Sequence, residues 1–263
     1  MAHRTIIVDH EEGYAKVTLN RPGEMNAISR EMRRELEECF NLLESDADVR
    51  AIILTGGDYV FCAGMDLKEM SALPDSEITD YFRGISRYLK QISGCRKPVI
   101  AAVGGIALGG GFNLATACDL IVASESAIFG HPELKFGLNP LFNPLRQIVG
   151  MAKAKEITMI GEPIAAKEAL RIGLVNKVAP PEKMMGMAES IARELAARLP
   201  SAIEAVKRIS GIVPRLDVGS ALDLEMDMEA LLFSSEERKG HMKEFLAELK
   251  NRKRNPDSRD RSD

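Results

Sequence analysis

Residues 104–124, GGIALGGGFNLATACDLIVAS, place three consecutive glycines between two apolar runs. Glycine is a poor former of strands and of helix interiors, so the run indicates that the backbone itself has a use at Gly109, Gly110 and Gly111. Such a cluster commonly cradles a phosphate, or directs N–H groups at a carbonyl oxygen that gains negative charge. The stretch matches neither GxxxxGK[ST] nor GxGxxG with a suitable acid about 20 residues on, which favours the second use.

Apolar segments alternate with amphipathic ones on both sides of this stretch. Two strands joined at Glu12–Gly13 precede a helix capped by Ser29, and strands and helices then alternate. Predicted strands cover residues 4–10, 14–19, 49–55, 97–103, 119–124 and 127–130, and predicted helices follow Ser29 and cover 78–92 and 112–118. Apolar strands that alternate with helices indicate an α/β fold with a largely parallel, covered sheet.

The second half of the chain has a helical pattern from about residue 140. A strand is predicted at residues 174–178, and Pro180–Pro181 then opens a helix. Beyond Pro200 the pattern predicts helices with breaks at Pro214 and at residues 234–235. The predicted organisation is a core domain over 1–199, a helical region over 200–250 and a disordered tail over 251–263, which contains no apolar residue.

Composition sets the broad class of the protein. The chain has 263 residues, is 45% hydrophobic and carries a formal net charge of −4, which gives no reason to expect nucleic acid or an anionic membrane as a partner. Four cysteines and four histidines form no CxxC, HExxH or zinc pattern, so we expect reduced thiols and no metal. The first residues do not resemble a signal peptide and no apolar run of about 18 residues occurs, so the expected location is cytoplasmic.

A second segment, FCAGMDL at residues 61–67, shares the character of the glycine stretch. It is predicted as a loop after a buried strand, and Gly64 lets the backbone come close to a ligand. Two strand-end loops, each with an exposed amide, would suit the polarisation of a carbonyl oxygen from two sides. Either loop alone would be an ordinary turn.

The two segments together resemble the crotonase superfamily, also called the enoyl-CoA hydratase/isomerase family. The resemblance covers almost all of residues 5–250 and is carried by VTLNRPGEMNAIS, FCAGMDLKEM, the segment 97–138 from KPVIAAV to LKFGL, KAKEITMIGEPIAAKEALRIGLVNKV and RKGHMKEFLAEL. It implies a spiral of ββα units, a helical C-terminal region that forms a homotrimer or a dimer of trimers, and an acyl thioester of coenzyme A as substrate. Coenzyme A would then be part of the substrate, with no separate cofactor.

The resemblance also implies roles for particular residues. The backbone N–H groups of Met65 and Gly110 would form an oxyanion hole that holds a thioester enolate. Asp66 is expected above all to fix its loop by accepting backbone N–H groups. The residues that match coenzyme A-binding positions are Met25, Ala27, Ala63, Asp66 and Lys68.

One acid of the family pattern is present and one is absent. Typical hydratases of the family use two glutamates, and Glu133 in FGHPELKFG falls on the second position. Asn113 stands at the first position, where it can hold a water but cannot take its proton. The following NPLFNPLRQIVG replaces a glycine-rich run of the family, so a bulkier and more apolar pocket is expected.

Three functions remain open from the sequence. The first is addition of water to a 2-enoyl-CoA, with Glu133 and Asn113 as catalytic residues. The second is a single-glutamate isomerase that shuttles a proton between carbons of a 3-enoyl- or 2-enoyl-CoA, which needs only one base. The third is a non-catalytic scaffold that binds coenzyme A, which the asparagine at 113 keeps open.

Overall fold

A computed structural model of the chain describes residues 3–254. It divides into two compact units, one reaching Ala197 and the other beginning at Arg198. Among residues 3–254, none of the helices combines the length and the apolar composition that a membrane-spanning helix requires. The strands found among the described residues are β1 Ile6–Glu11, β2 Tyr14–Leu19, β3 Ala51–Thr55, β4 Val60–Cys62, β5 Val99–Val103, β6 Ile106–Leu108, β7 Leu120–Ser124, β8 Ile128–Gly130, β9 Ile164–Ala165 and β10 Lys177–Ala179.

The helices of the described chain alternate with these strands in the first unit and fill the second. They are α1 Arg30–Ser45, α2 Leu67–Ser71, α3 Ile78–Ser93, α4 Gly110–Thr116, α5 Asn143–Ile160, α6 Ala166–Arg171, α7 Pro181–Ala196, α8 Pro200–Ile212, α9 Val218–Phe233 and α10 Glu236–Arg254. As the sequence predicts, the Ser29 side chain caps α1 by accepting the Met32 N–H at 3.1 Å.

The larger sheet has six strands in the order β1-β2-β3-β5-β7-β10. The pair β1–β2 is antiparallel, and the other neighbours are parallel. The fully buried strands β3 and β5 explain the continuous apolar runs of the sequence. Helix α7 covers one face with Met184, Ala188 and Ala192, and the larger core cluster lies on the other face. This mixed α/β architecture confirms the predicted fold class.

The smaller sheet has the order β4-β6-β8-β9. Strands β4, β6 and β8 run parallel, and β9 pairs antiparallel with β8. Parallel neighbours end at the same edge of a sheet, so the three segments that follow β4, β6 and β8 emerge side by side. These segments contain Met65, Gly110 and Glu133.

Several local predictions were wrong. Residues 61–70 are not a continuous loop, because β4 ends there at Cys62 and α2 begins at Leu67. The strand predicted at 174–178 lies at Lys177–Ala179, where it pairs with β7. Helix α10 continues to Arg254, so the helix enters the first part of the predicted tail. The rest of that tail, 255–263, lies outside the described residues.

The second unit has breaks where the sequence predicts them. Pro214 lies in a 3-10 turn between α8 and α9, and residues 234–235 separate α9 from α10. Many large apolar side chains in these helices are exposed, and they are Val206, Ile212, Val218, Leu222, Met226, Leu231, Phe233, Met242, Phe245 and Leu246. Large apolar patches on a protein surface are typical of interaction sites.

Candidate active site

The glycine loop takes a backbone conformation that only glycine tolerates well. Gly109 has φ +51° and ψ −118°, and Gly110 begins α4 immediately after it. The Gly109 N–H donates to the Gly130 carbonyl at 2.9 Å, which joins the ends of β6 and β8. The backbone therefore turns sharply at these glycines and lies against two neighbouring segments.

The loop after β4 approaches the glycine loop closely. Gly64 has φ +117°, and a Cβ at this position would stand 3.1 Å from the Leu108 carbonyl oxygen and 3.5 Å from the Gly110 nitrogen. A Cβ on Gly110 would stand 3.2 Å from the Met65 nitrogen. The two predicted oxyanion donors thus lie on directly adjacent backbone segments. Within residues 3–254, neither the Met65 nor the Gly110 N–H donates a backbone hydrogen bond.

Backbone pairing with a third segment holds Met65 in place. The Ile28 N–H donates to the Gly64 carbonyl at 2.8 Å, and the Asp66 N–H donates to the Ile28 carbonyl at 3.1 Å. These two bonds flank Met65 and leave its own N–H available. The carbonyl and amide on either side of the predicted donor are therefore fixed by main-chain contacts.

Asp66 adds a second restraint on the same loop. Its carboxylate caps α2 by accepting the N–H groups of Lys68 at 3.0 Å and Glu69 at 3.3 Å, which is the loop-fixing role expected from the sequence. Arg21 donates to it at 2.9 Å, in an ion pair that is largely buried. Burial acts to raise the pKa of Asp66, but the hydrogen bonds from Arg21 and the two amides outweigh it and lower that pKa overall.

Asn26 ties the segment that matches the coenzyme A site to the same region. Met25 and Asn26 both have positive φ, at 52° and 54°. The buried Asn26 amide offsets this strain by donating to the carbonyls of Gly56 and Val60, each at 3.0 Å. The Ala63 N–H donates to the Met25 carbonyl at 3.0 Å, so the segment around residue 25 also supports the loop after β4.

Glu133 reaches the glycine loop from the third segment. It begins a 3-10 helix, Glu133–Phe136, just after β8. Its Oε1 lies 3.3 Å from the point that a Cβ on Gly109 would occupy, and its side chain is 17% exposed. The His131 Nδ1 lies 3.2 Å from each of its two carboxylate oxygens. The carboxylate thus stands beside the turn that presents the Gly110 N–H.

The remaining predicted residues take simpler positions. Asn113 lies in the first turn of α4, where its N–H donates to the Gly109 carbonyl at 2.9 Å. Met25 and Lys68 are exposed, and Ala27 and Ala63 are half-buried. Their contact with coenzyme A stays a prediction, as do the catalytic roles of Asn113 and Glu133.

Cys62, at the end of β4, is fully buried, and burial raises the pKa of its thiol to about 12. A neutral, enclosed thiol is a poor nucleophile. Within the described part of the chain, no three His, Cys, Asp or Glu side chains are grouped so as to hold a metal ion.

Comparison with known proteins identifies the family. A sequence model of the family described as "Enoyl-CoA hydratase/isomerase" matches residues 9–255. The chain belongs to the enoyl-CoA hydratase/isomerase family. It is 36% identical to a short-chain-enoyl-CoA hydratase of Clostridium acetobutylicum, over 95% of this chain and 97% of that protein. It is 35% identical to a crotonyl-CoA hydratase of Syntrophomonas wolfei, over 95% of this chain and 98% of that protein.

A solved member of the enoyl-CoA hydratase/isomerase family has the same fold. The crystal structure of an enoyl-CoA hydratase from Bacillus anthracis superposes with a TM-score of 0.90 at 31% identity, covering 93% of this chain and 97% of that chain. The resemblance inferred from the motifs is confirmed.

The supporting roles of Arg21 and Asn26 in this protein have no clear signal in the sequence. Arg21 and Asp66 are 45 positions apart, so no local spacing connects them. The sequence places Asn26 in the motif that matches the family, but its positive φ and its three carbonyl contacts appear only in the structure. Both residues support the loops and neither would be identified by chemistry alone.

Proposed function

We propose that this protein is an enzyme that adds water across the double bond of a 2-enoyl-CoA thioester. The observation that carries the proposal is the meeting of three elements at one sheet edge: the Met65 and Gly110 amides and the Glu133 carboxylate. Relatives named as hydratases of short-chain enoyl-CoA and crotonyl-CoA support this choice of reaction. The substrate supplies coenzyme A, and no separate cofactor enters the reaction.

The two amides act on the thioester oxygen. As the water oxygen bonds to C3, electrons of the C2–C3 double bond move toward the carbonyl and negative charge develops on its oxygen. Two fixed N–H donors stabilise that charge more than they stabilise the neutral substrate, and one such donor contributes about 3–4 kcal/mol to lowering the barrier. Their adjacent backbone positions need little rearrangement during the reaction.

A single carboxylate suffices for the proton balance. Glu133 takes one proton from water while the oxygen attacks C3, and it then gives that proton to C2 of the enolate. The sum is the addition of one water with no net change in the protein. Asn113 orients the water through its amide and takes no part in proton transfer.

Double-bond isomerisation is the second candidate, and Asn113 is the observation that favours it. A base that takes a proton from one carbon and returns it to another needs no second acid. The same amide pair would stabilise the enolate intermediate. The two reactions therefore differ in whether water enters the site.

The deciding experiment follows absorbance of the purified protein with crotonyl-CoA and, separately, with a 3-enoyl-CoA. We expect loss of the conjugated enoyl thioester absorbance with crotonyl-CoA and formation of a 3-hydroxyacyl product. Turnover of the 3-enoyl-CoA without turnover of crotonyl-CoA would show that the protein is an isomerase rather than a hydratase. Tight binding of both esters without turnover of either would favour the scaffold.

The assembly proposed here is a homotrimer or a dimer of such trimers. Its support is the apolar surface of the second unit, where Val218, Leu231 and Phe233 are each more than 60% exposed. Burial of such side chains between copies would remove them from water. Light scattering should give a mass of three or six chains, and a monomer at assay concentration would contradict it.

A further inference from the structure

We infer that His131 is a positioning residue that holds the Glu133 carboxylate in its working orientation. The inference rests on the proposed function, because it concerns the acid of that reaction. The sequence gives only a histidine two residues before the glutamate. Its side-chain geometry is what assigns the role.

The contact between His131 and Glu133 determines which ring nitrogen of His131 carries hydrogen. His131 Nδ1 lies 3.2 Å from both Oε1 and Oε2 of Glu133. An ionised carboxylate only accepts hydrogen bonds, so Nδ1 must carry hydrogen whenever Glu133 is ready to act as a base. A donor shared by both oxygens restricts rotation of the carboxylate about its terminal bond.

The ring that provides this donor is itself fixed. His131 is 2% exposed, and its ring lies 4.7 Å from the fully buried Phe112 ring, centroid to centroid. Phe112 in turn contacts Phe129 at 5.6 Å. The imidazole is thus buried against an aromatic pair, whereas the carboxylate that it contacts is 17% exposed.

The other restraints on Glu133 in the described residues act on its main chain rather than on its carboxylate. Leu134, Phe136 and Leu138, which follow it, have exposed side chains, and the short 3-10 helix is held through its main chain, where the Leu138 N–H donates to the Glu133 carbonyl at 3.0 Å. A carboxylate moved by about 1 Å from its productive place can lose about 100-fold in rate. We therefore expect the buried His131 donor to affect kcat more than KM, because it positions the carboxylate rather than the substrate.

Two substitutions separate the donor from the ring. His131→Asn keeps an N–H near the Nδ1 position and loses the ring, whereas His131→Phe keeps the ring on Phe112 and loses the donor. We expect His131→Phe to lower kcat on crotonyl-CoA about 10- to 100-fold with little change in KM, and His131→Asn to retain most of kcat. His131→Leu, which has the branching of asparagine without its donor, replaces His131→Phe should the larger ring prevent folding.

His10→Leu is the matched control. His10 lies on β1 with its side chain 56% exposed and its Nδ1 3.8 Å from the Asp46 carboxylate, and its removal should leave kcat unchanged. Thermal unfolding of every variant measures the folded fraction. If His131 were merely structural, His131→Phe, which keeps the ring, would be more active than His131→Asn. That result, or an unchanged kcat in His131→Phe, would overturn the role of His131 and leave the proposed function standing. Wild-type protein without turnover would overturn the proposed function together with it.

Discussion

The amide side and the acid side of the candidate site are built in different ways. The Met65 and Gly110 donors belong to the main chain and are set by strand pairing, by two glycines of positive φ and by the buried pair of Arg21 and Asp66. The Glu133 carboxylate is a side chain at the start of a short, exposed helix, and His131 is the side chain that holds it. The comparison teaches that several main-chain contacts hold the two charge-stabilising amides, whereas within residues 3–254 one side chain, His131, hydrogen-bonds the proton-moving carboxylate.

The largest effect should come from the acid side. Glu133→Gln keeps the shape of the side chain and removes its ability to accept a proton. We expect kcat on crotonyl-CoA to fall about 1,000-fold, within the range that general acid–base groups contribute. Glu125→Gln, at an exposed carboxylate in the turn before β8, should leave turnover unchanged. Unchanged turnover in Glu133→Gln would show that Glu133 is not the acid–base group of the reaction. The Met65 and Gly110 amides would then have no identified partner acid.

The next largest effect should come from the space between the amides. A methyl group on Gly110 would stand 3.1 Å from the Met65 sulfur and 3.2 Å from the Met65 nitrogen, so it would crowd the space between the two amides. We expect Gly110→Ala to fold and to lose about 100-fold in kcat, as for removal of one oxyanion donor. Gly186→Ala in α7, where a methyl meets open space, is the control. An equal kcat for Gly110→Ala and Gly186→Ala would show that Gly110 takes no part in the reaction.

A smaller effect should follow loss of a support on the amide side. Asp66→Asn removes charge-assisted bonds to Arg21 and to the α2 amides, and we expect a loss of about 1–3 kcal/mol in the free energy of unfolding. Because other contacts also hold Met65, kcat should fall by only a few-fold. Chemical denaturation and steady-state assays measure the two effects. A loss of kcat as large as that of Gly110→Ala would contradict redundant support.

The Asp66 contribution should depend on pH in a defined direction. Its pKa is lowered in the folded protein, although burial acts to raise it, because hydrogen bonds favour the charged form. The stability it provides is therefore full above its unfolded pKa of about 3.9 and is lost as the pH falls through the folded value. The difference in unfolding free energy between wild type and Asp66→Asn should shrink in that acidic range. A constant difference would exclude the ionised carboxylate as its source.

The amide side was the more predictable of the two from sequence. Glycines at 64 and 109–111 indicate that the backbone itself has a use at these positions, and the motifs around them indicate the fold. The short strands β4 and β6 were missed because three residues flanked by glycine and polar positions carry too little periodicity. Their parallel pairing, which brings the loops together, is a long-range property.

The acid side was predictable only in part. The FGHPELKFG segment identifies Glu133 through the resemblance, but the sequence does not show that a His131 ring buried against Phe112 also contacts the carboxylate. The link between Arg21 and Asp66 was likewise hidden, because it joins residues from separate loops. Side-chain direction depends on packing that no local pattern specifies.

The most direct test of the account measures the thioester carbonyl itself. Crotonyl-CoA labelled with ¹³C at C1 is bound to Glu133→Gln, in which turnover is too slow to interfere, and its carbonyl stretch is recorded by isotope-edited infrared difference spectroscopy. We expect the band to lie at lower frequency than in free crotonyl-CoA, because two N–H groups polarise the bond, and we expect Gly110→Ala in the same background to reverse most of the shift. A band at the frequency of the free thioester, with binding verified, would contradict the claim that Met65 and Gly110 hold this oxygen.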